Sequence, residues 1–209
     1  PGWFLHNQDF YDKYDRSKKT KVYLGEYATH IPGRKANMET ALTEALYLTV
    51  LERNGDVVHM TSYAPLLAKE KHTQWSPDLI YFNNREVKPT TGYYVQKLYG
   101  QNAGSHYIPS QIILDNQDNR VKLRIGSSIV RDSKTGDVIV KLVNLLPVSV
   151  ETEIQLPGIG SVQPSAVRTV LAGVPESTPL PVTDTIEVGA NFKQQLPAYS
   201  FTVIRLKTK

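Results

Sequence analysis

Cysteine is absent from all 209 residues, which excludes disulfides, thiolate metal sites and a cysteine nucleophile. No apolar run approaches the ~18–20 residues a bilayer-spanning helix needs, so no membrane partner is expected. Neither sign of charge dominates: 24 Lys and Arg stand against 20 Asp and Glu, a formal +4. That is too mild for a nucleic-acid surface. The balance is also even, with 13 basic and 11 acidic residues up to about residue 106 and 11 and 9 beyond it, so there is no basic domain or tail. The chain lacks a GxSxG elbow, an HExxH helix, a Walker loop and a GxGxxG following a strand. His6, His30, His59, His72 and His106 show no ligand spacing, so neither a metal nor a cofactor is expected. Gly158-Ile159-Gly160 lies among turn residues and reads as a loop. The opening PGWFLHNQDF is not a signal peptide. Pro1 is not a natural initiator, so the chain reads as cut from something longer.

What is present falls into two patterns. The first half alternates helical and strand signals. Trp3 to Tyr14 carries aromatics at roughly helical spacing, and Asp15 to Lys21 is a polar connector. Val22-Tyr23-Leu24 is a short continuous apolar run, expected to be a parallel strand buried on both faces. After Ile31-Pro32-Gly33, Asn37 is placed to cap a helix running through Met38, Ala41, Leu42, Ala45, Leu46 and Leu48, with Asn54-Gly55 expected to end it by a left-handed turn. Val57 to Tyr63 is a second strand, and a long loop with Trp75, Pro77 and Asp78 follows. Thr91 to Tyr99 is an amphipathic helix whose Tyr94, Val95, Leu98 and Tyr99 face inward; Tyr93, Tyr94 and Tyr99 read as packing rather than as a binding platform. This is βα grammar. Past residue 106 the period becomes two, in Val121–Ile125, Val138–Asn144, Val148–Ile154 and Tyr199–Leu206, with hairpin chemistry at Thr135-Gly136-Asp137. Pro and Gly clusters between such strands point to an antiparallel β-sandwich. The expected fold class is therefore α/β plus all-β, with a boundary between residues 1–106 and 107–209.

One position carries chemical promise. Glu26 sits at the carboxyl end of the first strand, where closed α/β barrels hold their active sites. A carboxylate there could act as base, nucleophile or electrostatic stabiliser. From position alone a solvated or salt-bridged side chain is the favoured reading. Asp78 and Glu70, in the later loop, read as surface charges.

The ordered run Val22-Tyr23-Leu24-Gly25-Glu26-Tyr27-Ala28, Ala41-Leu42-Thr43-Glu44-Ala45 and Leu51-Glu52-Arg53-Asn54-Gly55-Asp56-Val57-Val58-His59-Met60-Thr61-Ser62-Tyr63-Ala64-Pro65-Leu66 closely resembles the α-L-arabinofuranosidases of glycoside hydrolase family 51. Thr73 to Phe82, Tyr93 to Leu98 and Leu196 to Val203 continue the likeness over nearly the whole chain. The resemblance implies that residues 1–106 are the last βα units of a (β/α)8 barrel and that residues 107–209 are a terminal sandwich. It implies that Glu26 is the nucleophile of a retaining displacement on terminal arabinofuranosyl groups. A second carboxylate must then stand about 5–5.5 Å away. In the family that acid/base group belongs to an earlier strand, so the missing N-terminal part of the same protein is an expected partner, and the fragment alone is expected to be inactive.

The remaining site expectations stay two-sided. Trp75 forms an apolar wall for a sugar or anchors its loop. Tyr27 and His30 bond substrate, hold the nucleophile or simply pack. The substrate implied is an arabinose-containing plant polysaccharide or oligosaccharide, with a secreted or periplasmic parent the natural setting. The alternatives are a different retaining hydrolase of the same barrel clan, or a non-catalytic sandwich that braces the barrel or binds carbohydrate. The sandwich has few aromatics (Tyr107, Phe192, Tyr199 and Phe201), which favours bracing over binding.

Overall fold

Asn7 sets the first departure from the sequence pattern. In the computed structural model, which describes residues 2–208, its side-chain amide and its backbone N–H both donate to Trp3 O. The expected aromatic helix therefore ends as α1 (Gly2–His6), and a 3-10 turn at Tyr11–Lys13 follows. The aromatic face survives the break, with Phe4 stacked on Tyr47 at 4.1 Å.

Strands β1 (Val22–Tyr27) and β2 (Val58–Tyr63) pair in parallel and are joined through α2 (Met38–Arg53). Asn37 caps α2 through a reciprocal box with Thr40, which satisfies donors the helix leaves orphaned. The next two N–H groups of α2, on Met38 and Glu39, donate to Ser177 and Pro175 carbonyls from a distant loop. The helix end differs from expectation. Asn54 has φ −105°, outside the left-handed region, and its side chain closes the last turn by donating to Val50 O. β1 is not buried on both faces: Tyr23 is 58% exposed, because β1 and β2 form a sheet of two with only one face covered.

The long loop contains structure of its own. β3 (Leu67–Lys69), β4 (Ile80–Phe82) and β5 (Val87–Pro89) make a small mixed sheet ahead of α3 (Thr91–Gln101). Residues 121–125 are likewise not a strand. Asp118 accepts the Arg120 N–H and opens α4 (Asn119–Lys122), so pairing begins only at Ile125.

The rest is a sandwich. β6 (His106–Tyr107), β7 (Ile125–Arg131), β8 (Val138–Asn144), β10 (Val162–Ala172), β11 (Val182–Glu187) and β13 (Ser200–Thr208) form an antiparallel sheet in the order β11-β10-β13-β8-β7-β6. β9 (Val150–Gln155) and β12 (Asn191–Leu196) form its facing pair. β8 is buried at every residue because both of its faces are covered. Val138, Val140 and Leu142 meet Ile154 and Leu196 of the small sheet, while Ile139 and Val143 join the core of α2. The contact with α2 is close enough that any side chain at Gly126 would overlap Leu46. Strands dominate, with few helices.

Candidate active site

The β1–β2 ladder runs Leu24↔Thr61 and then Tyr27↔Tyr63. Three steps on β1 thus face two on β2, and this bulge contains Gly25 and Glu26. Glu26 is exposed and lines a cleft of about 730 Å³ together with Tyr27, His30 and Trp75. All four residues singled out in the sequence therefore share one cavity. Among the described residues no side chain pairs with or hydrogen-bonds Glu26, and it is the one carboxylate in the cleft lining.

The neighbours divide by environment. Tyr27 is 7% exposed and donates its hydroxyl to Gln96 Oε1 at 2.6 Å, so that donor already has a partner. Burial, with Glu44 nearby, pushes the Tyr27 phenol well above its ordinary range. Trp75 is 45% exposed, with the Arg34 guanidinium 4.4 Å from its ring centre and His30 at 5.9 Å. Arg34 and Ser76 exchange side-chain-to-carbonyl hydrogen bonds, which clasps the loop after β1 to the loop bearing Trp75. Of the carboxylates read as surface charges, Glu70 is half-buried and paired with Lys88 at 2.8 Å. Asp78 departs from expectation: it is 2% exposed and is enclosed where its loop turns back through Thr73 and Tyr81.

Two features went unread in the sequence. Trp3, Phe4, Phe10 and Tyr11 complete the apolar wall of the cleft; their spacing suggested only helix packing. The other is Glu44 on α2, 1% exposed. Its Oε1 accepts the Thr29 N–H at 3.0 Å and the Tyr63 hydroxyl at 3.2 Å. The signal was there, since Ala41, Tyr47, Leu48 and Leu51 share its helical face and are all apolar.

Burial pushes the Glu44 carboxyl up to about 8, against the Thr29 N–H, Tyr63 hydroxyl and Gln96 side chain, which favour the ionised form. Tyr27 and Tyr63, the titratable groups beside it, are themselves raised and stay protonated through neutrality. The native state thus holds a proton that the unfolded chain releases near its ordinary 4.5. Stability from this group is complete below about pH 4.5 and declines as pH rises to about 8, by a few kcal/mol in all. Denaturant titrations at pH 5, 7 and 8.5 are expected to show that decline in the wild type and a flatter profile in Glu44→Gln.

A second concavity, of about 690 Å³, lies near α4 and is lined by Glu39, Asp118, Arg120 and Glu176. Asp118 is already paired with Arg120, and none of the residues expected from the sequence is there.

The fold is thus a β-sandwich packed against a βαβ unit whose first strand ends in an open carboxylate with no partner among the described residues. Comparison with known proteins identifies the family. The model for the α-L-arabinofuranosidase C-terminal domain matches residues 11–200, and the chain belongs to that family. An extracellular exo-α-L-arabinofuranosidase of Streptomyces chartreusis is 50% identical over 111 residues, covering 53% of this chain and 13% of the relative. A probable α-L-arabinofuranosidase A of Aspergillus terreus is 36% identical over 154 residues, 72% of this chain and 23% of the relative. An arabinose-bound GH51 α-L-arabinofuranosidase superposes over 99% of this chain and 35% of its own, with TM-score 0.87 and 32% identity. The Thermotoga maritima arabinofuranosidase, at 14% identity and TM-score 0.76, shares the fold. The chain spans about a quarter or less of the length of these two curated relatives.

Proposed function

We propose that this chain is the C-terminal part of a retaining α-L-arabinofuranosidase. In this reading β1 and β2 are the last two strands of a (β/α)8 barrel within residues 1–106, and residues 107–209 are the sandwich that braces it. The observation that carries the reading is Glu26: a solvent-facing carboxylate with no partner among the described residues, at the carboxyl end of a parallel strand, in a cleft walled by aromatic rings. Barrel enzymes place reacting groups at that end of their strands.

The chemistry follows from one carboxylate in the cleft. Glu26 attacks the anomeric carbon of a terminal arabinofuranosyl group, and a glycosyl ester forms as the leaving oxygen departs with a proton. Water then attacks the same carbon and returns the carboxylate. Both proton transfers need a second carboxyl group about 5–5.5 Å from the first. The cleft lining holds none, so that group comes from polypeptide beyond these residues. Trp75 offers a ring for the sugar face, and His30 stands beside it.

Surface area supports the same reading. The described chain exposes 11664 Å², against about 9,800 Å² for a compact protein of this mass. Part of the excess is the uncovered face of β1 and β2, where Tyr23 and Met60 are 58% and 63% exposed. Bracing is favoured over carbohydrate binding for the sandwich, because Tyr107, Phe192, Tyr199 and Phe201 are all buried or half-buried and make no exposed aromatic row. The substrate in this reading is an arabinose-containing plant polysaccharide or oligosaccharide. A secreted or periplasmic setting accords with the Streptomyces relative's description as extracellular.

The test belongs to the full-length gene product carrying this chain. An activated arabinofuranoside whose glycosyl ester turns over slowly is expected to label the peptide containing Glu26, as read by peptide mass spectrometry. Label on another side chain, or a product of inverted anomeric configuration, would refute the assignment.

A further inference from the structure

The bulge that holds Glu26 leaves its position undetermined by the β1–β2 ladder. Register is kept up to Leu24↔Thr61 and resumes only at Tyr27↔Tyr63. Whatever fixes the carboxylate must therefore act from beyond the bulge, and the contacts there converge on one buried group. Glu44 Oε1 receives Thr29 N–H from the β1 side and the Tyr63 hydroxyl from the end of β2. Tyr27, next to Glu26, is tied to Gln96 of α3, the helix packed on α2. Gly92 of α3 leaves the room this needs, since a Cβ there would stand 3.0 Å from Glu44 Oε2. A leucine in place of Glu44 would leave the Thr29 N–H buried without its acceptor.

Resting on the nucleophile reading above, we propose that Glu44 is a positioning residue for Glu26. It pins the two strand ends that flank the bulge to one oxygen on α2, and so sets where the Glu26 carboxylate stands relative to the sugar. It touches no substrate. Its effect is on the turnover step, because a reacting atom misplaced by about 1 Å loses roughly a hundredfold in rate while binding contacts elsewhere persist.

The experiment uses the full-length gene product and an aryl α-L-arabinofuranoside. Glu44→Leu is expected to lower kcat by about 10- to 100-fold with KM changed less than threefold. Glu44→Gln, which keeps the acceptor oxygen, is expected to retain at least about a third of kcat. The decisive measurement is made in a Glu26→Ala background with azide supplied as the nucleophile. Azide forms the C1–N bond as the aryloxide leaves, so the rescued rate no longer depends on where Glu26 sits. Adding Glu44→Leu is expected to change that rate less than threefold. The proposal is overturned if Glu44→Leu keeps wild-type kcat, or if it slows the azide-rescued reaction as much as it slows the native one. Should Glu44→Leu not fold, Tyr63→Phe removes one of the two hydrogen bonds and carries the same pair of measurements, with a several-fold loss of kcat expected. Failure of the nucleophile reading looks different: Glu26→Ala would then stay active without azide.

Discussion

Glu26→Gln in the full-length gene product is expected to lower kcat on an arabinofuranoside by 10⁴-fold or more while leaving KM and thermal stability close to wild type. Removing a covalent nucleophile outright typically costs on the order of 10⁴- to 10⁶-fold, or roughly 5–8 kcal/mol of transition-state stabilisation. Glutamine keeps the shape of the side chain but cannot form and release the glycosyl ester. The exposed side chain has no partner among the described residues, so its replacement falls with surface changes that shift stability by less than about 0.5 kcal/mol. That contrast separates a catalytic loss from a folding one. Chemical denaturation and single-turnover kinetics on the same preparation measure both. A variant with wild-type kcat, or one that has lost its fold along with its activity, would remove Glu26 from the role assigned to it.

The elements read from the sequence are those whose signal was local. Asn37 and the apolar positions of α2 announced the helix, and Thr135-Gly136-Asp137 announced the hairpin between β7 and β8, where Gly136 has φ +79°. Glu26, Tyr27, His30 and Trp75 came together in one cleft because the ordered motifs pointed to the strand end and the loop beside it. The three-residue strands β3, β4 and β5 went unread for a physical reason. Each is too short to complete a pattern, and its partners lie across Pro- and Asn-containing turns. Glu44 and Lys141 were obscured in the opposite way. Each sits in a strongly periodic segment, and a charged residue in such a segment is ordinarily the solvent side. Here the other face is covered as well, by α3 over α2 and by α2 over β8, a cover that the apolar neighbours of Glu44 on its helical face hint at but that only the packed elements establish.

Lys141→Ala is expected to destabilise the chain by about 3–5 kcal/mol, the usual result of stripping one partner from a buried ion pair. Lys141 has no exposed surface, and its Nζ lies 2.7 and 3.0 Å from the two Glu52 oxygens. Ser128 also donates to Glu52, and the Tyr99 ring centre is 5.3 Å from the ammonium. Burial drives the Lys141 pKa down while Glu52 holds it up, so the charge is kept by its partner and not by solvent. Removing the lysine strands the Glu52 carboxylate, whose side chain is 19% exposed, at the interface of α2 with β8. Replacing both, as Lys141→Met with Glu52→Leu, is expected to recover most of the loss, because the pair's attraction largely offsets its own desolvation. Denaturant midpoints for Lys141→Met, Glu52→Leu and the double close the cycle, with the double expected to lose far less than the two singles summed. A loss under about 1 kcal/mol for Lys141→Ala would mean that apolar packing alone holds α2 in place. Glu52 lies two turns along α2 from Glu44, so the ion pair anchors the same helix whose buried carboxyl accepts the Thr29 N–H and the Tyr63 hydroxyl.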